Sequence, residues 1–377
     1  MKIAVICDVF GASNNGTVIA LDNLIVALRS KGHSVRVVCA DERFRGHPDY
    51  YIVGKYDFGI LNRYVEKNGV APAKAQKDVL EAAIEGVDIV HVILPFSLGK
   101  AAALFAHAKG IPLSASFHAQ AENITSHIFL DRFKFANRAT YRIFYKRLYK
   151  YCDVIHYPSQ FICDDFESVV GPTPHCVISN GVDESFKPIY TQKPPHLKDK
   201  IVIMFTGRFS REKSHRVLID GVALSKHKDR IQLILAGEGP LRKSLTKRAR
   251  RRGINMPLME YLQRDKLIET LGYADLYVHP AEIEIEAISC LEALACGKVA
   301  LIADSPKSAT RGFALGERNL FRYDDARDLA NKMDWWIEHP RERSTCQSAY
   351  LDYAKNFTLS RCMDEMEEML YRAVKEA

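Results

Sequence analysis

The sequence has no Cys-x-x-Cys pair and no histidine spacing of the kind that holds zinc. Its nine cysteines are scattered, so neither a disulfide framework nor a metal centre is expected. Reduced thiols in a cytosolic compartment are the simpler account. No run reaches the ~20 apolar residues that a spanning helix needs, and the apolar start, residues 1–8, is too short for a secretory signal and reads as a first buried strand. Any membrane contact is therefore expected to be peripheral. There is no repeat of solenoid length. The Gly-x-Gly-x-x-Gly fingerprint is also missing, which argues against a nicotinamide enzyme.

What is present fits a globular protein of two domains. The chain has 377 residues, 47% of them hydrophobic and 26% charged, enough for two cores of ordinary size. A net charge of +7 favours an anionic partner, which phosphate groups, a membrane surface or a nucleic acid would each satisfy. Residues 3–7 are apolar and lead through a loop of small and polar residues into a helix marked by Leu21, Leu24, Ile25 and Leu28, which Gly32 ends before a strand over 34–39. That is the opening of a Rossmann-like unit. Strands over 87–94, 111–117 and 154–158 follow, and after a proline-containing linker at 190–200 the alternation resumes with strands over 201–205, 231–236, 274–278 and 298–303. Two doubly wound α/β domains facing each other across a cleft are expected.

Several residues sit where such domains keep ligands, at the carboxyl ends of strands. Glu284 and Glu292 flank the start of a helix closed by Gly297, one in the turn and one about two turns along. Alone, the acidic turn of Glu282, Glu284 and Glu286 is equally a favourable charge at a helix N-terminus. Gly207, Arg208 and Lys213 follow a strand and could grip one diphosphate. His118 ends another strand, with Glu122 and Asn123 just after it, and Asn15-Gly16-Thr17 forms a turn able to approach a phosphate. Residues 129–151 interleave Arg132, Lys134, Arg138, Arg142, Lys146, Arg147 and Lys150 with eight aromatic residues and contain no proline or glycine. One long helix lying on an anionic membrane suits them. An ordinary helix packing its aromatics on the core also accounts for them, and nucleic acid ranks third because no accompanying motif is present.

These motifs, in this order, resemble the retaining GT-B glycosyltransferases of family 4. The signature is Glu-x7-Glu at Glu284 and Glu292, joined by the Gly-Arg pair Gly207-Arg208 with the later Lys213, by Gly237-Glu238-Gly239-Pro240, and by His118 with Glu122-Asn123-Ile124. The resemblance implies a GT-B fold and transfer of a sugar from a nucleotide-sugar donor by front-side attack, without a metal or other cofactor. It gives Glu284 the donor sugar, Glu292 the ribose, Arg208 and Lys213 the diphosphate, and His118 the reacting face. Gly16 and the turn of Ile285, Glu286 and Ala287 complete the donor site, and Asn15, Glu122 and Asn123 would face the acceptor. Where many members carry Gly-Phe-Gly after the first Glu, this chain has Ile285-Glu286-Ala287, and it has Glu260-Tyr261-Leu262 where a glycine is usual near the base. Both departures leave the donor sugar and base open.

The Asn-Gly-Thr turn, the Glu-Asn-Ile segment and the basic aromatic stretch further resemble diacylglycerol glucosyltransferases. That implies UDP-glucose as donor, a membrane lipid such as diacylglycerol as acceptor, an anionic membrane surface as partner, no nucleic acid, and a peripheral position on the inner face of the cell membrane. A soluble or polyprenyl-linked glycan acceptor, and an inactive scaffold that binds membrane or nucleic acid, remain the alternatives. The expected division is an acceptor and membrane domain over 1–182, a nucleotide-sugar domain over 183–356, and a last helix, 357–377, crossing back onto the first.

Overall fold

The computed structural model describes residues 1–9, 16–57, 59, 73–125 and 133–376, with the backbone alone for 123 and 124. Asn15 and Arg132 therefore lie outside the described residues, as does the side chain of Asn123. The chain divides into two compact units, Met1–Gly181 with Ser360–Ala377, and Val182–Leu359. The proline-containing segment 190–200 is thus already part of the second unit, where Leu197 is 2% exposed and anchors it.

In the first unit the strands are β1 (Lys2–Ile6), β2 (Ser34–Cys39), β3 (Tyr50–Ile52), β4 (Ile89–Val92), β5 (Leu113–Ser116), β6 (Val154–Tyr157) and β7 (His175–Val177). They form one sheet in the order β3-β2-β1-β4-β5-β6-β7, with parallel pairing throughout. The central strands are apolar on both faces because helices cover both. Those helices include α1 (Gly16–Ser30), α2 (Lys77–Ile84), α3 (Ser97–Lys109), α4 (Ala121–Thr125), α5 (Lys134–Arg147) and α6 (Gln160–Val170). Asp8, at the end of β1, accepts from the backbone N–H groups of Leu98 and Gly99 at 2.9 and 3.0 Å, capping α3 from a distant strand.

The second unit contains β8 (Ile201–Thr206), β9 (Ile231–Ala236), β10 (Leu258–Glu260), β11 (Leu276–His279), β12 (Ala300–Asp304) and β13 (Leu320–Arg322). They are parallel in the order β10-β9-β8-β11-β12-β13. Around them lie α7 (His215–Leu224), α8 (Arg242–Arg252), α9 (Arg264–Tyr273), α10 (Ile288–Ala295), α11 (Ala326–Glu338) and α12 (Pro340–Ala354). The strand order reverses between β1 and β4 in one sheet and between β8 and β11 in the other, and such switch points open a crevice at the carboxyl ends.

The last helix, α13 (Leu359–Glu376), belongs almost wholly to the first unit. It buries Cys362, Met363, Met366, Met369, Leu370 and Ala373. Tyr371 on the same helix is 41% exposed and packs edge-to-face with the His33 ring. Glu367 pairs with Lys31 at 2.8 Å and with His33 at 2.7 Å.

The expectation of one helix over 129–151 is corrected. α5 ends at Arg147, Leu148 breaks the helical backbone at φ −134, ψ −65, and Tyr149–Tyr151 make a single 3-10 turn. The break carries Tyr149 inward onto Phe117, 5.0 Å between ring centroids. Phe166 and Tyr157 complete that aromatic core.

Candidate functional site

At the switch point of the second sheet, two loops are built as one wall. After β8 the chain runs through Gly207, whose N–H donates to the Ala236 carbonyl at 2.9 Å, and Phe209 N–H donates to the Glu238 carbonyl at 2.8 Å. A Cβ on Gly237 would stand 2.2 Å from the Gly207 carbonyl oxygen, so the approach requires glycine. The turn after β11 is tied to this wall by Glu282 N–H, which donates to the Glu212 carbonyl at 2.7 Å, while the Glu284 carbonyl accepts from Ala309 N–H at 2.9 Å.

These ties bring two side chains onto one oxygen of a third. Lys213 Nζ lies 2.5 Å from Glu284 Oε1, and His279 Nε2 lies 3.0 Å from the same atom. A carboxylate only accepts, so Nε2 carries the imidazole proton. Glu284 is 8% exposed. Burial alone would raise its pKa, but the Lys213 charge and the His279 hydrogen bond outweigh it and hold the carboxyl well below the usual range. His279 is shifted down, first by burial, against the pull of Glu284. The cluster is therefore a fixed anion held by an ammonium and a neutral imidazole.

Glu292, half-buried on α10, has the opposite character. Burial pushes its pKa up to about 7, with Arg264 lowering it and Asp183 adding to the rise. Arg264 and Asp183 pair with each other at 2.7 Å. Two carboxyl groups whose surroundings separate their ionisation are suited to different tasks. Arg208 is half-buried in the loop after β8, Ile285 is half-buried, and Glu286 is 4% exposed. Ala287 caps α10 in the left-handed region at φ 74, ψ 72. The helix therefore begins at Ile288.

In the first unit, His118 is half-buried beyond the end of β5, with its ring 6.1 Å from that of His156. Burial, then the neighbouring His156 and His91, lower its pKa to about 3, so the imidazole is neutral. Glu122 on α4 is 9% exposed and accepts from Asn137 Nδ2 at 2.9 Å. Gly16 is the exposed first residue of α1. Lys134, Arg138, Arg142, Lys146, Arg147 and Lys150 are all exposed, together with Phe135 at 71% and Ile143 at 51%. The opposite face of α5 buries Asn137, Tyr141 and Phe144. The helix thus packs aromatics on the core while presenting cations and two large apolar side chains outward.

His279, Arg264, Asp183 and Asn137 were not among the residues the sequence singled out as site groups. His279 carried a signal, since it ends a strand five residues before Glu284; Arg264 lies 81 positions from Asp183 and carried none. The described residues also bring three potential metal ligands together, Cys163, Glu167 and His175. Glu167 there already accepts from the Thr173 N–H and hydroxyl and from His175 Nδ1, which makes it a satisfied hydrogen-bonded corner.

Comparison with known proteins agrees with this architecture. A family model described as Glycosyltransferase Family 4 matches residues 14–186, and one described as Glycosyl transferases group 1 matches residues 186–350. The alpha-monoglucosyldiacylglycerol synthase of Acholeplasma laidlawii is 22% identical over 326 residues, covering 78% of each chain. A GDP-mannose-dependent alpha-mannosyltransferase of Corynebacterium glutamicum is 26% identical over 317 residues, covering 79% of this chain and 71% of its own. The structure of Anabaena HepE in complex with UDP-glucose superposes with a TM-score of 0.75 at 18% identity, covering 99% of this chain and 100% of that one. With both domains matched in order along the chain, and with two parallel Rossmann-like sheets, the protein belongs to the family 4 glycosyltransferases of GT-B fold and transfers a sugar from a nucleotide-sugar donor.

Proposed function

We propose that the protein is a retaining glucosyltransferase that moves glucose from UDP-glucose to diacylglycerol at an anionic membrane surface. The observation that carries the lipid assignment is the two-faced α5, whose outer face combines Lys134, Arg138, Arg142, Lys146 and Arg147 with Phe135 and Ile143. Cations beside apolar side chains on one helix face suit lipid phosphates and the interface below them. No described helix is long and apolar enough to cross a membrane; the proposed contact is peripheral, made through this face on the inner leaflet. The similarity to the Acholeplasma synthase supports the same acceptor class.

In this reading Arg208 and Lys213 take the charge that develops on the leaving diphosphate, an electrostatic task for preorganised cations that asks for no metal. Glu284, locked as an anion, accepts from sugar hydroxyls, and Glu292 accepts from the ribose. Gly16 and the turn of Ile285, Glu286 and Ala287 frame the donor. His118 lies at the reacting face, and Glu122, with Asn15 and Asn123, receives the acceptor.

The test is nucleotide release from a panel of UDP-glucose, GDP-mannose and ADP-glucose, with and without vesicles of diacylglycerol and phosphatidylglycerol, using Glu284→Ala as the blank. Release from UDP-glucose should rise at least tenfold with diacylglycerol and vanish in the variant. Release that ignores the lipid would remove the acceptor, and preference for another donor would remove the glucose assignment.

A further inference from the structure

The inward side of α5 carries one polar group among aromatics. Asn137 is 8% exposed and lies one turn before the buried Tyr141. Its Oδ1 accepts from the Thr125 hydroxyl at 2.6 Å, and its Nδ2 donates to Glu122 Oε1 at 2.9 Å. The amide orientation follows from the partners, because a flipped amide would set its oxygen against the carboxylate. Thr125 is 3% exposed and Glu122 9%, so the three groups form a buried network that joins both ends of α4 to α5.

A buried amide costs free energy unless its hydrogen bonds are made, and an apolar residue would pack this face at lower cost. The network instead fixes one side chain, that of Glu122. The same helix turns Arg138 and Arg142 outward on its exposed face.

We propose that Asn137 is a positioning residue: it holds the Glu122 carboxylate in the pose that receives the acceptor hydroxyl, and so ties acceptor geometry to the helix that faces the lipid surface. This rests on the acceptor role given to Glu122 above. Asn137 touches neither substrate. Its effect is confined to where the carboxylate points.

The experiment measures glucose transfer from UDP-glucose to diacylglycerol in phosphatidylglycerol vesicles for the full chain carrying Asn137→Ala, Asn137→Asp or Glu122→Ala. Asn137→Ala should lower kcat/KM for diacylglycerol by about 10- to 100-fold, the loss that goes with misplacing a reacting group by about an ångström, while KM for UDP-glucose and vesicle binding stay within twofold. Asn137→Asp sets a second carboxyl against Glu122, so its transfer should be closest to wild type near pH 5.5 and fall progressively to pH 8.5 as the pair ionises, a slope absent from the wild type. A merely structural asparagine would lower all readouts together, or only thermal stability, with no added pH slope, and either result overturns the proposal. Loss of transfer in Glu122→Ala with full transfer in Asn137→Ala also overturns the positioning role while sparing the acceptor assignment. Full transfer in Glu122→Ala overturns that assignment, and the positioning role falls with it.

Discussion

Glu292 stands near the midpoint of its titration at neutral pH because burial and the Asp183 charge raise it against Arg264. Below about 7 the carboxyl is protonated and a weaker acceptor; above it the carboxylate accepts fully from hydroxyls. UDP affinity should therefore rise roughly tenfold from pH 6 to pH 8, the difference between a neutral and a charge-assisted hydrogen bond. Glu292→Gln should flatten the profile in calorimetric titrations, and an unchanged slope would take Glu292 out of the nucleotide contact. Ala287 makes a second residue-level statement. Its φ of 74 costs a residue with a Cβ roughly 1–2 kcal/mol, partly offset in any glycine variant by the greater freedom of the unfolded chain. Ala287→Gly should stabilise the second unit by about 0.5–1 kcal/mol, read from the urea midpoint. Glu284 and Lys213 were legible because each stands at a strand end within a short motif. Their shared oxygen was not, because the two stand 71 positions apart and meet only when β8 and β11 pair.

The element whose reading changed most is α5. Composition predicted cations and aromatics on one uninterrupted helix, and the spacing of Asn137, Tyr141 and Phe144 along the buried face fits that period. The stop at Leu148 had no local signal: no glycine or proline marks it, and it exists because Tyr149 must reach Phe117 in the core. The short edge strands Tyr50–Ile52 and Leu320–Arg322 escaped notice for a related reason, since three residues carry too little alternation to register. On the exposed side of α5, Arg142→Glu combined with Lys146→Glu reverses two charges and so changes the net charge of the face by about four units. At about 1 kcal/mol per basic residue near an anionic surface, affinity for phosphatidylglycerol vesicles should fall by at least about a hundredfold in sedimentation assays. Hydrolysis of UDP-glucose should persist. Equal vesicle binding by the double variant would dismiss this face as the membrane contact.

At the scale of the molecule, each sheet was foreseen from alternating strands and helices, and the order of the six-stranded sheet repeats that of the first six strands of the seven-stranded one. Covalent order puts α13 at the end of the second half, but the family resemblance predicts that it crosses back, and it lies almost wholly in the first unit, where it buries Met363, Met366, Met369 and Leu370. A chain ending at residue 358 should therefore lose several kcal/mol from the first unit by exposing that apolar surface. Differential scanning calorimetry should show one transition shifted down by 10 °C or more and the other within about 2 °C. A common shift of both would mean that the units do not melt separately.

The Lys213–Glu284 contact has a consequence for selectivity. An ammonium already neutralised by its neighbour offers little net field, so free phosphate gains little by entering, and a free sugar meets a carboxylate whose charge is already spoken for. In the proposed reading a ligand must supply an anion to the lysine and hydroxyls to the glutamate in the same event. Only a molecule bearing both replaces what it breaks. The internal ion pair would thus act as a two-key lock, admitting the intact donor and loosening its hold once the sugar has left.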